Sequence, residues 1–183
     1  MLGLGNSLIS SSRIKSLHFS YQSDFTSDAN GWAKDGTTHN GTPTITANQG
    51  TGDASDGTGW LKIVYGADQT SFPFSGTLTR NMLSIGDFFK KDDNVIVSFK
   101  IKLIHNGVDD HWGGTDDVKL FFGGYNPSGS QDVPLNTTTT VSKNSILNTE
   151  TPRDTTISFA LTGDRPTTGA TWYLKDYSIQ VFR

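Results

Sequence analysis

The 183-residue chain contains no cysteine. A disulfide framework, a thiolate metal site and a cysteine nucleophile are excluded together. Glutamate occurs once, at Glu150, so a pair of catalytic carboxylates would have to be drawn almost wholly from aspartate. No stretch of eighteen consecutive apolar residues exists, which excludes a hydrophobic membrane-spanning helix. An excess of positive charge is missing as well, with 15 Lys and Arg against 18 Asp and Glu. Without a broad positive field, neither nucleic acid nor an anionic membrane is an expected partner. The opening segment has no Lys or Arg ahead of its apolar residues and is interrupted by Gly and Asn, so it does not read as a signal peptide. Helical periodicity is also scarce, because windows with apolar residues at i, i+3, i+4 and i+7 are broken by Gly, Pro or clustered Thr. Catalytic signatures are lacking too: no Gly-x-Ser-x-Gly elbow, phosphate loop or His-Glu-x-x-His pattern occurs. The Asp residues lie in loops without apolar neighbours to raise a pKa, and the chain reads as non-enzymatic.

What the chain does contain is strand and turn material. Hydrophobic residues make up 33%, against 20 glycines and abundant Ser, Thr, Asn and Asp. The length suits one domain able to bury close to ~70% of its unfolded surface. The clearest strand runs from Asn94 to His105, with Val95, Val97, Phe99, Ile101 and Leu103 on one face and Ser98, Lys100 and Lys102 on the other. That alternation predicts one buried face and one wet face. Further strands are expected at Thr42–Ala47, Trp60–Tyr65, Phe72–Thr79, Val118–Phe122, Thr137–Val141, Thr155–Leu161 and Thr171–Phe182. Gly-rich turns at Asn48–Gly59, Gly113-Gly114, Gly123–Gly129 and Gly163–Gly169 separate them, which points to an antiparallel sandwich. Trp32, Trp60, Trp172, Phe88, Phe89 and Phe121 are expected in the core. Pro73 cannot donate to a ladder, so Phe72-Pro73-Phe74 is expected at an edge or bulge.

Residues 1–17 mix small polar residues with Leu and Ile that show no period. They are expected to form a short non-globular arm, with Leu2, Leu4, Leu8 and Ile9 as assembly contacts, leading into a β domain at 18–183.

Three segments resemble the carbohydrate-binding-module jelly rolls, in particular the group that accompanies glycanases and occurs in phage and bacterial surface proteins. Asp24-Phe25-Thr26-Ser27-Asp28-Ala29-Asn30-Gly31-Trp32 is similar to that group's first-strand pattern. Gly59-Trp60-Leu61-Lys62-Ile63-Val64 resembles its Gly-x-Leu-x-Val strand. Trp172-Tyr173-Leu174-Lys175-Asp176-Tyr177-Ser178-Ile179 resembles its closing strand of two aromatics followed by Ile-Asp-Asp-Val-x-Leu. The resemblance implies an all-β antiparallel jelly-roll β-sandwich. It also implies a structural Ca²⁺ between the first and last strands, for which Asp24 and Asp176 are the matching carboxylates. Calcium takes ~6–8 oxygen ligands, so backbone or amide oxygens would have to complete the set. Lys175 replaces one customary Asp of the closing motif and brings a positive charge near that site.

The densest polar and aromatic cluster runs from Val108 to Asp117. A sugar ligand needs an aromatic face for its CH groups and carboxylates or amides for its hydroxyls. Asp110, His111 and Trp112 supply both, with Tyr125 and Asn126 from the next loop as helpers. Two other readings stand beside this one: Trp112 packed over the sandwich end with the Asp residues capping turns, or a metal loop, though the spacing matches no EF-hand. The Gly52–Gly57 loop reads more simply as a turn. Met1 to Leu8 also resembles the start of small structural proteins of tailed bacteriophages. The resemblances together imply a non-catalytic virion structural protein, as a head decoration, head fibre or tail appendage. It would be made in the host cytoplasm, homo-oligomerise, contact other virion subunits through its arm and bind surface polysaccharide. The alternative they imply is a carbohydrate-binding module of a glycan-degrading system.

Overall fold

The computed structural model describes residues 14–34, 44–65, 74–81, 89–105, 117–122, 130–134, 136–147, 156–163 and 170–183, with the backbone path and pairing alone for the strands spanning 74–81, 117–122, 130–132 and 156–163. Eleven strands run through these residues: β1 (Leu17–Ser23), β2 (Ala33–Lys34), β3 (Thr44–Gln49), β4 (Trp60–Tyr65), β5 (Phe74–Asn81), β6 (Asn94–His105), β7 (Asp117–Phe122), β8 (Ser130–Asp132), β9 (Thr139–Ile146), β10 (Thr156–Gly163) and β11 (Ala170–Phe182). A single 3-10 turn at Ala54–Asp56 interrupts the β pattern among the described residues. Every pairing is antiparallel, in two sheets. One sheet runs β3-β4-β11-β6-β9 with β1 added on β11, and the other runs β2-β5-β10-β7-β8. The chain shuttles between the sheets, which makes the architecture a jelly-roll sandwich as the sequence implied.

β6 forms at the predicted residues because its alternation is unbroken. Val95, Val97, Phe99, Ile101 and Leu103 are all buried and face the core. β11 contributes Trp172, Leu174, Tyr177, Ile179 and Val181 to the same core, and β4 contributes Leu61 and Ile63. Tyr177 stacks on Phe99 with ring centroids 5.9 Å apart and meets Trp32 edge-on at 4.8 Å. Burial pushes the Tyr177 hydroxyl pKa up. Burying such side chains contributes roughly 1.5–3 kcal/mol each.

Several boundaries differ from expectation. β1 is a strand that periodicity reading passed over, because its alternation of Leu17, Phe19 and Tyr21 abuts an irregular leader. Its pairing with β11 begins before its first residue: Ser16 and Arg183 exchange two backbone bonds at 2.8 and 3.0 Å. Asp24–Trp32, the piece similar to a first strand, forms bends and a turn instead. Phe25 and Asn30 adopt left-handed backbone there (φ 55° and 51°), yet Phe25 and Trp32 are buried in the core. Trp32 Nε1 donates to the buried Ser23 hydroxyl at 3.1 Å, and Tyr21 shares that oxygen at 2.7 Å. β5 starts at Phe74, one residue beyond Pro73, and Phe72 and Pro73 lie outside the described residues. The Thr-rich strand starts at Thr139 and extends to Ile146. At the other end of the sandwich, Arg183 grips the buried Asp93 carboxylate with Nε and Nη2 at 2.8 and 3.1 Å.

Candidate functional site

Strand alternation assigns the outward face of the six-stranded sheet directly. With Leu61, Ile63, Ile101, Leu103, Trp172 and Leu174 turned to the core, the intervening Trp60, Lys62, Lys100, Lys102, Tyr173 and Lys175 occupy the opposite face. Pairing places Lys62, Tyr173 and Lys102 in one row across three strands. Trp60 and Tyr173 meet edge-on at 6.4 Å, and Lys62 Nζ sits 6.0 Å from the Tyr173 ring centre. This face was expected to be wet. Instead Lys102 is 5% exposed, Tyr173 5% and Trp60 1%.

The cover over part of that face is the segment between β3 and β4. Asp53 caps the 3-10 turn by accepting from the Ser55 amide at 2.9 Å, and the turn lowers Asp56 toward Lys102. Lys102 Nζ donates to Asp56 Oδ2 at 2.7 Å and lies 3.7 Å from Asp53 Oδ2. Thr51 and Thr138 hydroxyls donate to the same Asp56 carboxylate at 2.5 and 2.9 Å. Burial alone would raise the Asp56 pKa, but the Lys102, Thr51 and Thr138 hydrogen bonds outweigh it and hold the group at about 2. Hydrogen bonds from Ser55 keep exposed Asp53 below its usual value as well. Trp60 is therefore buried, as expected, but under this loop rather than between the sheets. Its Nε1 donates to the Asp56 carbonyl at 3.2 Å. With both aromatics covered, this cluster has no open ring on which a ligand could stack.

The five-stranded sheet presents a different face. Its register produces one set of rows that read Leu120, Phe159, Leu78, Lys34; then Phe122, Ile157, Arg80; then Gln131, Val118, Leu161, Gly76. The alternate rows read Phe121, Ser158, Thr79, Ala33; then Lys119, Ala160, Thr77, Ser130; then Asp117, Thr162, Ser75, Asp132. Phe121 thus shares its register row with Ser158, Thr79 and Ala33, and its burial lies outside what the structure describes. Phe89 is buried in the core as expected, and Phe88 lies outside the described residues.

Of the residues singled out in the sequence, Asp110, His111, Trp112, Tyr125 and Asn126 lie outside the described residues, as do Leu2, Leu4, Leu8 and Ile9. The segments 106–116 and 123–129 join opposite ends of β7. Asp24 and Asp176 do come together, bordering a shallow depression of about 250 Å³ with Gln22, Ser23, Tyr177 and Ser178. One oxygen of each carboxylate already accepts a hydrogen bond. Asp176 Oδ2 holds Lys100 Nζ at 2.8 Å, and Asp24 Oδ1 accepts the Thr26 amide at 3.1 Å. Among the described residues, no three of His, Cys, Asp and Glu gather as metal ligands. A two-carboxylate pair with one member bound to lysine is a poor fit to a cation that takes ~6–8 oxygens.

One further surface is exposed and apolar. Leu17 and Ile146 are 52% and 62% exposed, and pairing places them in one row with Phe182 and Asn94. Ile14, 98% exposed, precedes that row on the chain.

No family model matches the chain, and no curated protein does. Solved structures do. The chain is similar to the CBM22-1 xylan-binding domain of Paenibacillus barcinonensis Xyn10C at 13% identity, covering 92% of this chain and 96% of that one with a TM-score of 0.53. It is similar to Caldicellulosiruptor saccharolyticus CBM27-1, solved with mannohexaose, at 11% identity over 88% and 96% of the two chains with a TM-score of 0.60. The N-terminal cellulose-binding domain of Cellulomonas fimi β-1,4-glucanase C matches at 12% identity over 85% and 91%, with a TM-score of 0.52. At these identities the likeness establishes a shared jelly-roll fold.

Proposed function

We propose that this domain is a non-catalytic carbohydrate-binding module whose polysaccharide ligand lies along β7. The observation that carries the reading is the register of the five-stranded sheet, which sets Phe121 among Ser, Thr, Ala, Lys and Asp positions. A phenylalanine at one register level with Ser158 and Thr79 brings together the residue types a pyranose needs: a flat apolar ring for CH groups and polar partners for hydroxyls. β7 is six residues long, about 20 Å at ~3.3 Å per residue, with Asp110, His111 and Trp112 on the segment entering it and Tyr125 and Asn126 on the segment leaving it. A chain of sugars running along the strand would meet both groups. The solved structures of similar fold include xylan-binding and cellulose-binding domains and one solved with mannohexaose, which supports this choice of ligand class.

Titration calorimetry with soluble xylan, mannan and glucan oligosaccharides, preceded by a glycan array, tests the proposal. Phe121→Ala and Trp112→Ala are each expected to weaken binding at least ~10-fold, about 1.4 kcal/mol, without lowering Tm. Absence of binding to every glycan would remove the reading.

The exposed row of Leu17, Phe182 and Ile146 favours a second reading, an assembly subunit such as a bacteriophage head or tail component joined to its neighbours near the leading segment. Contacts weak singly would suffice on a multivalent particle. Light scattering on chains with and without residues 1–13 checks it, and identical monomers in both cases would count against assembly.

A further inference from the structure

β11 changes partner halfway along its length. Ala170–Leu174 pair with β4, Tyr177–Phe182 pair with β1, and the β6 register also slips between Lys175 and Ser178. Asp176 takes left-handed backbone at that slip, with φ 53°. Beside this break the Lys175 side chain reaches the loop before β4. Lys175 Nζ donates to the Thr58 carbonyl at 2.7 Å and to the Asp56 carbonyl at 3.2 Å, and stands 5.5 Å from the centre of the Trp60 ring. Gly59 takes left-handed backbone (φ 84°) next to the segment leaving β1: a Cβ there would be in ordinary contact with the Asp24 carbonyl oxygen at 3.5 Å and with Lys175 Cε at 3.9 Å. The loop before β4 and the last strand thus meet at one ammonium group, with the segment leaving the first strand packed on the neighbouring Gly59.

We propose that the Lys175 ammonium is the structural cation of this domain, standing where modules of this fold join their first and last strands through Ca²⁺, so that this chain folds without a divalent metal. The balance of charge and donors is consistent with that role. An ammonium offers three donors and one positive charge; two donors are used on carbonyls that a cation would otherwise coordinate, and the ring face of Trp60 stabilises the remaining charge. The carboxylate that the closing motif ordinarily places at position 175 would instead have required a metal to bridge it to those same carbonyl oxygens. Asp176, the other carboxylate of the motif, is neutralised by Lys100 rather than left for an ion. This inference is independent of the glycan reading, since it concerns how the sheet is closed and not what the domain binds.

Thermal unfolding of the full chain, in EDTA and in millimolar CaCl₂, tests it with wild type, Lys175→Met and Lys175→Asp. The wild-type Tm is expected to be equal in both solutions. Lys175→Met, which keeps the aliphatic stem, is expected to lose about 3–10 °C in both. Lys175→Asp is expected to lose at least as much in EDTA and to regain Tm progressively as Ca²⁺ is raised, as a ligand binding the native state requires. Three results would overturn the proposal: a wild-type Tm that falls in EDTA and recovers with Ca²⁺, a Lys175→Met protein as stable as wild type, or a Lys175→Asp protein indifferent to Ca²⁺. If Lys175→Asp does not fold in EDTA, its recovery of cooperative unfolding on refolding into Ca²⁺ supports the proposal and a failure to recover opposes it.

Discussion

The two halves of β11 share one strand and one sheet, yet their outward faces have opposite fates. In the first half, Thr171 and Tyr173 are 5% exposed and Lys102 beside them is equally covered, whereas Ser178, Gln180 and Phe182 in the second half are partly exposed. The inward faces do not differ, since Trp172, Leu174, Tyr177, Ile179 and Val181 are all buried. The difference therefore lies in what is laid over the strand. Beside the first half, the segment before β4 brings Asp53, Asp56 and Thr51 against the sheet. Beside the second half, β1 extends the sheet sideways. Alternation alone thus decides which residues face the core, and the opposite face is wet or dry according to its cover.

Removing the charge under the cover should show the comparison most strongly. Lys102→Ala strips Asp56 of its cation while both sites stay largely enclosed, with side-chain exposures of 7% and 11%. We expect a loss of about 2–4 kcal/mol, read as a Tm lower by roughly 5–12 °C, because an uncompensated buried charge is costly. A loss under 1 kcal/mol would show that the loop does not depend on this pair.

A smaller effect is expected from acid. The Asp56 pKa is held at about 2, below its usual 3.8, so the ionised carboxylate favours the folded state. That contribution is complete above pH ~4 and fades as pH falls through ~2, amounting to at most about 2 kcal/mol. Asp56→Asn should lower stability at pH 6 and flatten the decline between pH 5 and pH 2. Chemical unfolding at several pH values measures this, and an unchanged slope would assign the acid response to other carboxylates.

The smallest effect belongs to the uncovered pair next along the strand. Lys100 and Asp176 are also 2.8 Å apart, but their side chains are 46% and 48% exposed. Solvent screens such a pair, so Lys100→Ala should cost no more than about 1 kcal/mol and the difference should shrink in high salt. Equal costs for Lys100→Ala and Lys102→Ala would break the comparison outright.

These contrasts also show how much of the molecule could be read from its residues. β4 and β6 appear at their predicted boundaries, and β11 within one residue, because β6 carries an unbroken alternation and β4 and β11 are dense in aromatic and β-branched residues. β2 and β8 were not legible, since two or three residues carry no period. β1 was hidden by the irregular segment before it. At the candidate sites, the pairing of Asp24 with Asp176 around one depression followed from the resemblance at both ends of the domain. The Asp56, Lys102 and Thr138 cluster did not. Its members are 46 and 82 residues from Asp56 along the chain, and no local pattern links them.

By itself, the sequence determined the long strands, the scarcity of helix among the described residues and the inward row of β6, because a period of two is a property of the extended backbone over a few residues. Tertiary structure decided which outward residues became dry, and that Lys175, beside the point where β11 exchanges β4 for β1, would meet the Asp56 and Thr58 carbonyls. Those outcomes depend on segments far apart in the chain arriving at one place, and closure of that kind leaves no mark on the local order of residues.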